Sequence, residues 1–195
     1  MMTFLISLAR AVDRRIESLE ILKKQSVEFE MVEAHDGWLE SDLPRHPHCW
    51  RIRPTEVAAF YSHAKAMRRV LECGLPYGLI LEDDFSFYPE FNITAVESAL
   101  PPEFDFVSLH DLRVPEWDLE VSENGTAFHR LNRYGLMAVG YVVSARFVEF
   151  FLKHCLPCRV PIDHQFRQLS ESRVGLQFYQ AAKPSITGRG VPSTL

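Results

Sequence analysis

The sequence predicts a single α/β domain, and three observations carry that reading. Apolar strand-type runs alternate with amphipathic helical segments along most of the chain. The stretch from Thr3 to Gly37 holds a strand, a helix and a second strand, which is a βαβ unit. No repeat, linker or low-complexity block divides the 195 residues, a length that suits one sizeable core.

Each element follows from local pattern. Thr3 to Leu8 is a short apolar run of buried-strand type. From Asp13 to Lys24, Ile16, Leu19 and Leu22 recur at intervals of three, predicting a helix. Val27, Phe29 and Met31 alternate with Glu28 and Glu30 as in a strand, which Ala34-His35-Asp36-Gly37 closes as a turn. Residues 43–53 carry Pro44, Pro47 and Trp50 and read as a surface loop. Thr55 to Cys73 is the strongest helix, with Val57, Phe60, Tyr61, Ala64, Met67 and Leu71 on one face, Thr55 as its cap and Gly74 as its stop. Tyr77 to Leu81 is an apolar strand that ends abruptly in Glu82-Asp83-Asp84, and Phe104 to Leu109 is another, ending in His110-Asp111.

Residues 112–134 are polar and irregular, a hairpin or a loop facing an acceptor. Leu136 to Ser144 reads as a strand, Ala145 to His154 as a helix, Pro161 to about Arg173 as a second helix and Leu176 to Ala181 as a last strand. Pro184, Gly188, Gly190 and Pro192 mark 185–195 as a loose tail.

Composition excludes several classes. A hydrophobic fraction of 47% with 14 Phe is that of a packed globular protein. A net charge of -5 argues against a nucleic-acid binder working through bulk charge. Arg14-Arg15, Lys23-Lys24, Arg51/Arg53 and Arg68-Arg69 read as solvated helix faces and turn edges. The N-terminal apolar run precedes its positive charges, the reverse of a secretory signal, and no stretch approaches the ~20 apolar residues of a membrane span. The expected setting is cytoplasmic, with any membrane contact peripheral. Cys155 and Cys158 form a lone C-x-x-C near His154 and His164, whose spacing matches no standard zinc pattern. Buried, inert thiols are the plainer reading.

The sharpest chemical feature is Glu82-Asp83-Asp84. Ligands of open α/β sheets bind beyond the carboxyl ends of strands. Three consecutive acids there repel one another and resist desolvation. Either they form a solvated capping turn, or they hold a hard cation such as Mg2+ or Mn2+, which takes carboxylate oxygens and keeps positions open for phosphates. Strand alternation points Glu82 and Asp84 one way and Asp83 the other, so not all three can be direct ligands.

The segments Phe4 to Leu8 with Arg14-Arg15, Phe29 through Gly37, Glu56 through Ser62-His63, Ile80 to Asp84, Asp105 to Leu109, Gly140 to Ser144 and Pro161 to Asp163 occur in an order that resembles glycosyltransferase family 25. That family includes bacterial lipooligosaccharide β-galactosyltransferases and the galactosyltransferase domains of collagen-modifying enzymes. Leu-Glu-Asp-Asp with the upstream Ser-His helix is the most specific part of the resemblance, which runs from about residue 3 to 185.

The resemblance implies a GT-A-like, Rossmann-type mixed sheet flanked by helices. It also implies a UDP-sugar donor (often UDP-galactose), a divalent metal (Mn2+ or Mg2+), inversion at the anomeric carbon and a role in lipopolysaccharide biosynthesis. The acidic motif falls on Glu82, Asp83 and Asp84, with Asp84 the first metal ligand and Glu82 the second. Ser62 and His63 are implied in the donor pocket, beside Glu82 and Asp83. Ser7, Leu8 and Arg10 lie where such folds bind uridine, and Arg14 is placed to pair with the diphosphate. Inversion needs a base for the acceptor hydroxyl, for which Asp163 and Asp111 are the candidates. Asp163 has the bland alternative of a helix cap. Asp111 has the alternatives of metal, ribose or acceptor contact. The expected function is transfer of a sugar to a lipooligosaccharide or other surface glycan. Two further readings remain: a degenerate member that binds nucleotide or glycan without transfer, favoured by the short stretch after Pro184, and a metal-dependent phosphohydrolase, disfavoured because no second metal set is evident.

Overall fold

The computed structural model describes residues 1–40, 42–47, 51–111, 119–120, 127–172 and 174–190. In chain order the elements are β1 (Thr3–Ser7), α1 (Val12–Lys24), β2 (Phe29–Glu33), α2 (Pro54–Glu72), β3 (Tyr77–Glu82), β4 (Phe85–Phe87), α3 (Ile93–Ala99) and β5 (Phe106–Ser108). They continue with β6 (Leu119–Glu120), β7 (Phe128–Leu131), β8 (Gly140–Ser144), α4 (Ala145–His154), α5 (Ile162–Glu171), β9 (Phe178–Ala181) and β10 (Ile186–Gly188).

The main sheet is mixed, in the order β2-β1-β3-β8-β5-β9-β7-β6. β1 runs parallel to both β2 and β3, with Ser7 opposite Glu33 and Ile6 opposite Glu82. The carboxyl ends of these three strands therefore meet at one edge. β8 is antiparallel to β3 and to β5, so its start at Gly140 lies beside Leu81 at that same edge.

β1 is buried along its whole length, as a parallel strand covered on both faces must be. Its pleat divides the core. Phe4 and Ile6 pack with Val57, Phe60 and Met67 of α2 and with Phe147, Phe151 and Phe166 of α4 and α5. Leu5 faces the other way, with Leu22 of α1 and with Leu79, Leu81, Phe85 and Val142. At the centre of the first layer Phe106 is ringed by Tyr141, Phe166 and Phe178 at centroid distances of 4.8, 4.8 and 5.1 Å.

Helix and strand bounds agree with the expected ones to within a few residues, with two corrections. Arg53, not Thr55, is the N-cap of α2. Pro54 takes the first helical position, where its missing N–H costs nothing, and Glu56 reaches back to accept from the Arg53 N–H at 2.8 Å. The tail expected to be loose instead carries β10, which pairs antiparallel with β4, Ile186 opposite Phe87. The punctuating Pro184 and Gly188 flank a β-branched pair, Ile186-Thr187, that meets an open strand edge. Ile186 is fully buried over Gly140, and a Cβ on that glycine would stand 2.6 Å from Ile186 Cδ1. Gly74, at φ +64°, ends α2 as expected. The 112–134 segment contains an antiparallel β6–β7 pair, while 112–118, 121–126 and 191–195 lie outside the described residues.

Candidate active site

The acids at the end of β3 divide by direction. Glu82 and Asp84 line one cleft of about 320 Å3, together with Arg53, Glu56, Met137 and Asp163. Asp83 turns away, is buried, and pairs with the Arg14 guanidinium of α1.

Glu82 is held from below. Its Oε1 lies 2.9 Å from His63 Nε2, and His63 Nδ1 lies 2.7 Å from the Tyr141 hydroxyl. His63 is fully buried on α2, so its effect on the cleft passes through Glu82. Tyr141 is fully enclosed as well, and burial raises its hydroxyl well above the ordinary tyrosine range.

Asp84 is the unsatisfied member. Its Oδ1 is buried and has no hydrogen-bond partner among the described residues. Burial first, then the charges of Glu82 and Asp83, push its carboxyl up to about 6 against the pull of Arg14. A buried carboxylate oxygen left unpaired costs on the order of 1–3 kcal/mol, which a cation would offset. Among the described residues no three His, Cys, Asp or Glu side chains form a protein-only metal cage. Asp84 and Glu82 are the two cleft carboxylates placed to hold a cation, which would need its remaining oxygens from a ligand.

Asp163 enters the cleft from the first turn of α5, whose N-cap is Pro161, so its position is not that of a cap. Its Oδ2 accepts from the Met137 N–H at 3.3 Å and its Oδ1 from the His164 N–H at 2.8 Å. Met137 holds φ +96°, strained for a non-glycine residue, and its carbonyl accepts from the Tyr134 hydroxyl at 2.5 Å. Asp163 and Tyr134 together thus fix an unfavourable backbone on the cleft wall.

The other predicted positions are not among the residues that line this cleft. Ser7 and Leu8 are buried at the end of β1, and Ser7 accepts from Arg15 at 3.2 Å through both its Oγ and its carbonyl. Arg10 donates to Asp36 at 2.5 Å, and that hydrogen bond holds the Asp36 carboxyl below its ordinary range despite burial. Ser62 is buried and donates to the Ala58 carbonyl at 2.7 Å while accepting from the His35 N–H at 2.9 Å, tying α2 to the turn after β2. Asp111 is not among the residues lining the cleft, and its carbonyl lies 2.7 Å from His110 Nδ1. Cys155 and Cys158 are buried, and burial raises the Cys155 thiol to about 11.

Sequence reasoning missed Arg53, Glu56, Tyr141 and Met137. Glu56 carried a signal as the third residue of a capping box, but nothing in its spacing says that the helix start opens onto the cleft. The positive φ of Met137 leaves no trace in the sequence.

Comparison with known proteins agrees with this architecture. The model of the family described as glycosyltransferase family 25 (LPS biosynthesis protein) matches residues 1–166. The chain is 27% identical over 170 residues to lacto-N-neotetraose biosynthesis glycosyltransferase LgtB of Neisseria meningitidis serogroup B, covering 78% of this chain and 61% of that one. It is 32% identical over 161 residues to human procollagen galactosyltransferase 2, covering 72% of this chain and 25% of the relative. It thus spans less than two thirds of either. A glycosyltransferase involved in glycosylation of the major capsid of PBCV-1 superposes with a TM-score of 0.58 at 10% identity, covering 99% of this chain and 94% of that one, a likeness of fold. The mixed sheet with helices on both faces is the GT-A-like architecture expected.

Proposed function

The chain belongs to glycosyltransferase family 25, and from that premise we propose that it moves a hexose, galactose first, from a UDP-sugar to a hydroxyl of a lipooligosaccharide or other surface glycan, with inversion. The observation that carries the reading is the convergence of Glu82, Asp84 and Asp163 on one cleft, with a buried Asp84 oxygen left unpaired.

In this reading the acceptor oxygen attacks the anomeric carbon as the bond to the diphosphate breaks, and the bonding pair departs on UDP. Asp163 takes the acceptor proton. Its two backbone hydrogen bonds orient the carboxylate without neutralising it, which suits a general base. Asp111 lies off the cleft wall and is the weaker candidate. A divalent cation, Mn2+ or Mg2+, held by Asp84 with Glu82, would supply positive charge to the departing diphosphate. His63 keeps Glu82 aimed, and Arg14, expected to pair with the diphosphate, instead holds the Asp83 carboxylate on the side away from the cleft. Ser7, Leu8 and Arg10 form the wall offered to uridine. Ser7 and Leu8 are buried as whole residues, so of the three it is Arg10, with a side chain 43% exposed, that meets the nucleotide in this reading. Among the described residues no helix is long and apolar enough to cross a membrane. Peripheral contact at the cytoplasmic side of an inner membrane is the setting that fits a surface-glycan acceptor.

The test is turnover of UDP-galactose, UDP-glucose and UDP-N-acetylglucosamine with Mn2+ and a panel of glycan acceptors. UDP release from one donor, reduced at least ~100-fold in Asp84→Asn, is expected. UDP binding with no donor consumed would instead make this a non-transferring member of the family.

A further inference from the structure

The acidic turn is braced from behind by a residue outside the segment that the family model matches. Arg189 follows β10 and reaches the turn twice. Its backbone N–H donates to the Asp84 carbonyl at 2.7 Å, and its guanidinium donates to the Asp83 carbonyl, 106 residues away. The Ser18 hydroxyl donates to that same Asp83 carbonyl at 2.7 Å, and the second arm of the guanidinium pairs with Glu17. The Arg189 side chain is only 15% exposed.

We propose that Arg189 is a positioning residue for the Glu82–Asp84 turn and that the donor site is incomplete without the strand that carries it. This inference rests on the donor-site reading above. A turn with three consecutive acids gains by opening, because rotation would separate the charges and hydrate the stranded Asp84 oxygen. Arg14 prevents that at the Asp83 side chain, while Arg189 and Ser18 prevent it at the backbone. With both carbonyls pinned on the side away from the cleft, Asp84 stays beside Glu82 facing it, and the arrangement is set before any ligand arrives. The fork geometry matters: one guanidinium serves the Asp83 carbonyl and Glu17 at once, which a lysine ammonium on a flexible stem does poorly.

The experiment compares wild type, Arg189→Ala and Arg189→Lys by calorimetric UDP titration across Mn2+ concentrations, with circular dichroism confirming the fold. Half-saturating Mn2+ is expected to rise about tenfold or more in Arg189→Ala and about threefold in Arg189→Lys, as expected when a preorganised site loosens. Millimolar ethylguanidinium is expected to restore Arg189→Ala and to leave Asp84→Asn unimproved, a rescue that a general loss of stability would not show. Half-saturation within about twofold of wild type in a folded variant, or no rescue, overturns the positioning role alone. Wild type that binds no UDP with Mn2+ overturns the donor-site reading and the inference with it. If Arg189→Ala does not fold, Arg189→Lys alone decides, by the same shift in half-saturation.

Discussion

His63 Nε2 lies 2.9 Å from Glu82 Oε1, and the same imidazole reaches the Tyr141 hydroxyl at 2.7 Å through its other nitrogen. A fully buried side chain of α2 thus spans the gap between β3 and β8 and sets the direction of a cleft carboxylate. His63→Ala removes packing and leaves two polar groups unpaired, so urea unfolding is expected to show a loss of about 3 kcal/mol. Tyr141→Phe is expected to cost about 1 kcal/mol, with non-additivity in the double variant because the two share one bond. A His63→Ala cost under about 0.5 kcal/mol would mean that the relay is not formed.

Asp84 gives metal-free protein a stability that depends on pH in an unusual direction. Its folded value of about 6 lies above the ordinary 3.8, so between those values the folded state holds a proton that the unfolded chain releases. Stability therefore rises as pH falls from about 6 to 4, by roughly 2 kcal/mol after allowance for its coupling to Glu82. Asp36 and Glu30, held low by Arg10 and Arg69, act in the opposite sense, so the difference between wild type and Asp84→Asn isolates the effect. Chemical denaturation in EDTA at pH 4, 5, 6 and 7 measures it. Asp84→Asn should be the more stable protein at pH 7, and equal stability there would remove the case for a strained carboxylate.

Asp163 separates chemistry from binding. Asp163→Asn keeps the shape and can still accept one of the two backbone N–H bonds, but it cannot take a proton. Turnover is expected to fall about 100- to 10,000-fold while UDP affinity stays within about threefold. Stopped assays on the active donor, paired with calorimetry, distinguish the two, and unchanged turnover removes Asp163 from the mechanism.

The thiols differ in burial. Cys73 is exposed, whereas Cys155 and Cys158 are buried and the Cys155 thiol is raised to about 11. In a Cys49→Ser background at pH 8, a disulfide reagent should modify one thiol rapidly and the other two only on unfolding. Three fast thiols would mean that the α4–α5 connection opens in solution.

Much of the parallel half of the fold was legible because its strands are buried on both faces. Thr3–Ser7 and Tyr77–Glu82 stand out as continuous apolar runs, and the acids that interrupt the second mark a strand end. Alternation alone separated Glu82 and Asp84 from Asp83, which is how the cleft divides them. Contacts made across long separations were not legible. The pairing of Ile186 with Phe87 depends on a strand edge that no local pattern shows, and prolines and glycines around it read as slack. Arg189 fell within the stretch read as a loose tail for the same reason. Thr55 was read as the cap of the helix that carries Glu56, and the side of that helix that meets the acids is settled only by packing.

The proposed role of Asp84, holding a cation for a nucleoside diphosphate, is tested by UDP calorimetry with and without Mn2+. Wild type should bind UDP at least about tenfold more tightly with Mn2+ than in EDTA, and Asp84→Asn should lose that difference. UDP affinity indifferent both to Mn2+ and to Asp84→Asn would rule that role out.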